Sequence, residues 1–149
     1  MNIIKYNKRI IGKLDINKED FETYITLKEF NNKYNTNIDD IDTKELNLSE
    51  RYIGNRGLKD LFEFHFNKLE ELYLSLNKIS DINILEKVNF AKLEKLYLSD
   101  NNISNIDVLG KVNFKELKAL DFCNNKISDI KVLEKVIFKK LEKLNLGEN

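Results

Sequence analysis

Side chains able to carry covalent or acid–base chemistry are few and scattered in this 149-residue chain. His65 is its one histidine, in the triplet Phe64, His65, Phe66, with no cysteine or carboxylate around it at metal-ligand spacing. Cys123 is its one cysteine, with no sequence-adjacent base to activate it and no second thiol to pair with. No glycine-rich phosphate loop, nucleophile elbow or paired carboxylates in a pocket context can be found. The chain is therefore expected not to be an enzyme and to need no cofactor or metal. What remains is the chemistry of contact. Tyr73 and Tyr97 offer aromatic surface and Glu71 and Lys95 offer opposite charges, and each pair is separated by the same 24 residues.

That interval runs through most of the chain. The segment Leu69–Ile79 (LEELYLSLNKI) returns as Leu93–Ile103 (LEKLYLSDNNI), as Leu117–Ile127 (LKALDFCNNKI) and, cut short, as Leu141–Asn149 (LEKLNLGEN). A fixed period of 20 to 30 residues is the mark of a solenoid, in which each unit buries its apolar face against its neighbours. Leu72 and Leu74 alternate with Tyr73, the period-two pattern of a strand with one buried face. Ile82, Leu85 and Val88 are spaced by three, as a helical or 3₁₀ turn requires, and Ser80 and Asp81 stand where they can cap it. Leu72, Leu96, Leu120 and Leu144 form one column, Ile82, Ile106 and Ile130 another, and Phe66, Phe90, Phe114 and Phe138 a third. Removing a buried Phe costs ~3–5 kcal/mol, so Phe114→Ala, with repeats on both sides, is expected to cost most. The Asn77, Asn101, Asn125 column is expected to satisfy buried backbone amides after each strand, since an amide side chain both donates and accepts.

Composition bounds the partners. Lys+Arg and Asp+Glu are equal at 25 each, so the basic excess of a nucleic-acid or membrane-surface binder is missing. Neither a signal-peptide core nor a run of ~20 apolar residues is visible, and a lone cysteine favours a reducing compartment. A cytoplasmic, monomeric protein is expected, with no nucleic acid, membrane or small-molecule substrate among its partners.

The pattern LxxLxLxxNxI carried by these segments resembles that of the leucine-rich repeat family. The continuation IxxIxxLxxV most resembles its short subclass, typified by a regulator of protein phosphatase; the extra Asn89-Phe90 and Asn113-Phe114 account for the longer step. One earlier unit, around Leu46 and Leu48, lies 26 residues before the next and resembles the longer ribonuclease-inhibitor type, with Arg51 at the ladder position. Gly54 and Gly57 suggest a wider, more adaptable turn there. The resemblance covers residues 43–149. It implies an α/β solenoid with parallel β-strands on the concave face, short helices or 3₁₀ turns on the convex face, and a role in protein–protein recognition. Units are expected to start near 43, 69, 93, 117 and 141, the last being truncated, so the chain is expected to be part of a longer repeat protein.

Residues 1–42 lack the repeat. Phe21, Tyr24, Ile25, Leu27, Phe30 and Tyr34 follow helical spacing after a capping sequence at Asn17–Asp20, which predicts an amphipathic helix at about 18–34. It is expected to cap the first repeat, the alternative being an adaptor that recruits a second partner. A small hairpin over Asn2 to Leu14 is a weaker expectation.

On the concave face the resemblance places the residues between the buried leucines. Tyr73 and Tyr97 stand in the middle, flanked by Asn47, Asp121 and Asn145, with Glu71, Lys95, Ala119, Leu76 and Asp100 nearby. Five strands ~4.8 Å apart present only about 20 Å, enough for a peptide or a modest protein patch. The tyrosines are either anchors for such a partner or a cross-strand pair that supports the sheet. A non-enzymatic module binding a protein or peptide on this face is the expected function. The alternative is a regulatory or scaffolding arm of a larger signalling enzyme, in a kinase or phosphatase complex.

Overall fold

The computed structural model describes residues 17–149; the hairpin expected over Asn2 to Leu14 lies outside them. Five three-residue strands form one parallel sheet in chain order: β1 (Glu45–Asn47), β2 (Glu71–Tyr73), β3 (Lys95–Tyr97), β4 (Ala119–Asp121) and β5 (Lys143–Asn145). Registers follow the repeat, with Leu46 opposite Leu72, Leu72 opposite Leu96, Leu96 opposite Leu120 and Leu120 opposite Leu144. Between strands the chain returns through 3₁₀ turns at Asn83–Lys87, Asp107–Gly110 and Lys131–Glu134, and in the first unit through helix α2 (Gly54–Leu61). Helix α1 (Lys18–Tyr34) precedes β1.

Each strand is short because its ladder is soon handed over to side chains. Leu74 N–H still donates to Tyr97 O at 2.8 Å and Leu76 N–H to Ser99 O at 3.1 Å, after which the chain turns inward. There Asn101 Oδ1 accepts from the Asn77 and Ile79 amides, while its Nδ2 donates to the Leu74 and Leu98 carbonyls. Asn125 does the same for Ile103 and Leu98, and Asn77 reaches back to the Arg51 and Ile53 amides. All three asparagines are buried. Without them these backbone groups would be buried unpaired, at ~1–3 kcal/mol apiece.

The turn demands a left-handed residue three positions after every strand: Glu50, Leu76, Asp100, Asn124 and Glu148 all have φ between 51° and 61°. Asp and Asn enter this region more readily than branched or bulky side chains. The 3₁₀ turns are capped by Asp81, Asn105 and Asp129, whose Oδ1 atoms accept from the amide two residues on. Ser80 takes no part in that cap; its hydroxyl accepts from Asn55 Nδ2 instead.

One continuous core runs from Leu27 and Phe30 of α1 to Phe122 and Ile127. Phe90 and Phe114 are buried with ring centroids 5.7 Å apart, and Phe138 follows at 6.4 Å. The first unit departs from the expected phenylalanine column. Phe62 meets Phe90 edge to face at 5.6 Å, while Phe66 packs on Phe64, because α2 is a longer return than a 3₁₀ turn. Ile130 is 52% exposed, since no further unit among the described residues covers it.

Helix α1 is capped by Asn17, whose Oδ1 accepts from the Asp20 amide at 2.9 Å. Phe21, Leu27 and Phe30 are buried, whereas Tyr24, on the same apolar spacing, is exposed. The helix is locked to α2 by Asp60, whose Oδ2 accepts from Tyr34 Oη and Lys33 Nζ, both at 2.6 Å. Gly57 is not part of a loose turn. It lies within α2, where a Cβ would come 2.5 Å from Ile53 Cβ and 2.9 Å from the Tyr34 ring, so the glycine is what lets the tyrosine approach.

Candidate partner-binding face

Alternation puts Leu72 and Leu96 into the core and therefore points Glu71, Tyr73, Lys95 and Tyr97 outward. Parallel register stacks them by column: Glu45, Glu71, Lys95, Ala119, Lys143, then Asn47, Tyr73, Tyr97, Asp121, Asn145. Ala119 departs from the expected open position; it is buried, its methyl too short to rise out of the surface formed around it.

The second column divides by chemistry. Asn47, Asp121 and Asn145 each turn a side-chain oxygen onto their own chain, accepting from the amides of Ser49 (3.1 Å), Cys123 (2.8 Å) and Gly147 (3.1 Å). The two tyrosines between them are too long for that role. Their rings lie parallel, 5° apart in tilt and 4.8 Å between centroids, the spacing of the strands that carry them. Both are half-buried.

Glu71 fixes this pair. One carboxylate oxygen accepts from Tyr73 Oη and the other from Lys95 Nζ at 2.8 Å. The lysine beside it, and then the phenol, hold the Glu71 carboxyl below its ordinary range. In return the Tyr73 phenol, hydrogen-bonded to that carboxylate and partly buried, is pushed up to about 12. Ser75 and Ser99 are joined hydroxyl to hydroxyl at 2.9 Å, and Asn124 Nδ2 donates to Asp100 Oδ1 at 2.6 Å. Leu76 is 44% exposed at φ 59°, an apolar side chain in a left-handed site that the other copies fill with Glu, Asp or Asn. Placing an L-residue there costs roughly 1–2 kcal/mol.

The geometry thus brings Tyr73, Tyr97, Glu71 and Lys95 into direct contact, pairs Asp100 with Asn124, and leaves Asn47, Asp121 and Asn145 serving their own turns. Sequence reasoning missed Tyr52, which is 68% exposed at φ 54° with Lys78 Nζ 4.8 Å from its ring centroid. A signal existed: it is aromatic in a column otherwise filled by Lys78, Asn102 and Lys126. His65 is exposed, and Cys123 is a half-buried free thiol. Among the described residues no three His, Cys, Asp or Glu side chains gather as a metal site, and no helix is long and apolar enough to cross a membrane.

Comparison with known proteins agrees with the repeat. Residues 91–135 match the family model for leucine rich repeats (2 copies). Among solved structures, an internalin from Listeria monocytogenes str. 4b F2365 is similar, at 30% identity and a TM-score of 0.48. That match covers 62% of this chain, which spans 24% of the internalin chain. No curated protein matches the sequence. Residues 91–135 thus carry leucine rich repeats, the five-stranded parallel sheet with its 3₁₀ returns has the form of a repeat solenoid, and such repeats generally mediate protein–protein interaction.

Proposed function

We propose that this leucine-rich-repeat solenoid is a non-enzymatic recognition module that binds a protein or peptide partner across the outward face of its sheet. Tyr73 and Tyr97 are the anchors. Glu71 and Lys95 set orientation, Leu76 adds apolar contact, and Asp100, Asp121, Asn47 and Asn145 form the polar surround. The observation that carries the reading is the parallel tyrosine pair held by the Glu71–Lys95 ion pair. Aromatic surface already fixed in place gives contact area with little rotamer entropy left to lose. The 3₁₀ returns of four or five residues support the short phosphatase-regulator-like type for the later units. The eight-residue α2 supports the ribonuclease-inhibitor-like type for the first.

The test is affinity capture from lysate of the source cell, with the Tyr73→Ala/Tyr97→Ala protein as matched control. The double variant is expected to keep the circular-dichroism spectrum and to lose the partner. Equal capture by both proteins would overturn the assignment of the site.

A further inference from the structure

Charge is distributed unevenly between the outward face and its surroundings. Beside the sheet three carboxylates are matched by lysines of neighbouring units, Glu70 with Lys44, Glu94 with Lys118 and Glu116 with Lys140, at 2.5 to 2.8 Å. The strands and the turn residues after them carry six carboxylates, Glu45, Glu50, Glu71, Asp100, Asp121 and Glu148, against Lys95 and Lys143, with Arg51, Lys78 and Lys126 along the edge, in a chain whose formal net charge is zero. Among the described residues only Glu71 of those six has a lysine in contact. The other five are left to solvent or to uncharged donors such as Asn124 and the Cys123 amide.

The stacked tyrosines make this asymmetry specific. Each ring covers one side of the other, so the free side of Tyr97 looks along the column to its register partner Asp121. A cation between them would meet a π face on one side and a carboxylate on the other, two attractions that add. Asp121 accepts the Cys123 amide through Oδ1, which leaves Oδ2 for that partner.

We propose that the occupant of this face is an extended cationic segment of a protein, with one arginine or lysine head seated between Tyr97 and Asp121. The proposal rests on the recognition reading above and names the chemistry of its partner. Complementary charge here would set orientation and association rate as well as affinity.

The probe is a peptide of three Arg-Ser-Gly triplets, set against the same peptide with Glu for Arg. In an extended polyproline-type strand its arginines lie ~9 Å apart, close to two strand spacings. Titrations are followed by amide chemical shifts of the whole chain. Asp121→Asn is the deciding variant. It removes the charge yet keeps the oxygen that accepts from Cys123, as Asn47 and Asn145 do at equivalent positions, so the fold is retained.

The arginine peptide is expected to shift the amides around Tyr97 and Asp121 and to bind about tenfold tighter than the glutamate peptide. Asp121→Asn should weaken it about fivefold, and raised salt should weaken it further. Equal affinity for the two peptides, no shifts on this face, or undiminished binding by Asp121→Asn would overturn the proposal. A cellular partner lost on the tyrosine double substitution but held normally by Asp121→Asn would overturn it too, while leaving the recognition reading intact.

Discussion

On the inner side of the sheet Leu72, Leu96 and Leu120 follow one another unchanged and fully buried, whereas on its outer side the same register aligns Asn47, Tyr73, Tyr97, Asp121 and Asn145. One backbone repeat thus supports two kinds of column. Inside, each unit can bury its apolar surface only against its neighbours, so the columns stay apolar throughout, with Phe122 the one change in the column of Leu74, Leu98 and Leu146. Outside, packing imposes no such demand, and the residue at each step is free to differ. The outer face is individual where the period is broken: at the tyrosine pair, at Leu76, and in the unmatched carboxylates.

The two largest expected effects test the inner side. Phe114→Ala removes a ring wedged between Phe90 and Phe138 and should destabilise by ~3–5 kcal/mol, read as a lowered denaturant midpoint. Asn101→Leu should cost at least as much, because it orphans the Asn77 and Ile79 amides together with two carbonyls, at ~1–3 kcal/mol for each group left bare. Either variant melting like the wild type would break the distinction between the columns.

Leu76→Asn should act in the opposite direction. An asparagine suits φ 59°, as Asn124 does at the equivalent position, and stability should rise by roughly 1 kcal/mol in denaturant unfolding. If partner capture falls at the same time, an outer residue has been shown to hold strain in return for contact.

The smallest effect is a titration. Tyr73 should ionise near 12 in ultraviolet absorbance, and Glu71→Gln should return it toward 10 by removing the charge it faces. A phenol pKa raised on folding contributes fully below about 10 and loses that contribution as pH rises to about 12. Glu71, whose pKa is lowered by Lys95, contributes above its ordinary range and loses that contribution as pH falls through the folded value.

Much of this comparison is legible in the residues alone. Period and alternation together place the strands, the buried leucines and the asparagine ladder, because each position is read several times and the copies agree. What escapes is whatever depends on contact between unlike neighbours. Gly57 reads as a turn signal until Tyr34 is seen against it. Phe66 reads as a member of a phenylalanine column until the longer α2 puts Phe62 beside Phe90. Asp121 and Asn145 read as open polar groups, yet each holds its own turn. Tyr73 and Tyr97 can be aligned from the sequence, but the ion pair that fixes them comes from the geometry of Glu71.

Recognition on the outer face can be measured directly. Hydrogen exchange of the chain, alone and with its captured partner, reports it residue by residue. Slowed exchange is expected over 71–76 and 95–100, with the 3₁₀ turns at Asn83–Lys87 and Asp107–Gly110 unchanged. Protection confined to those turns, or to helix Lys18–Tyr34, would contradict recognition on that face.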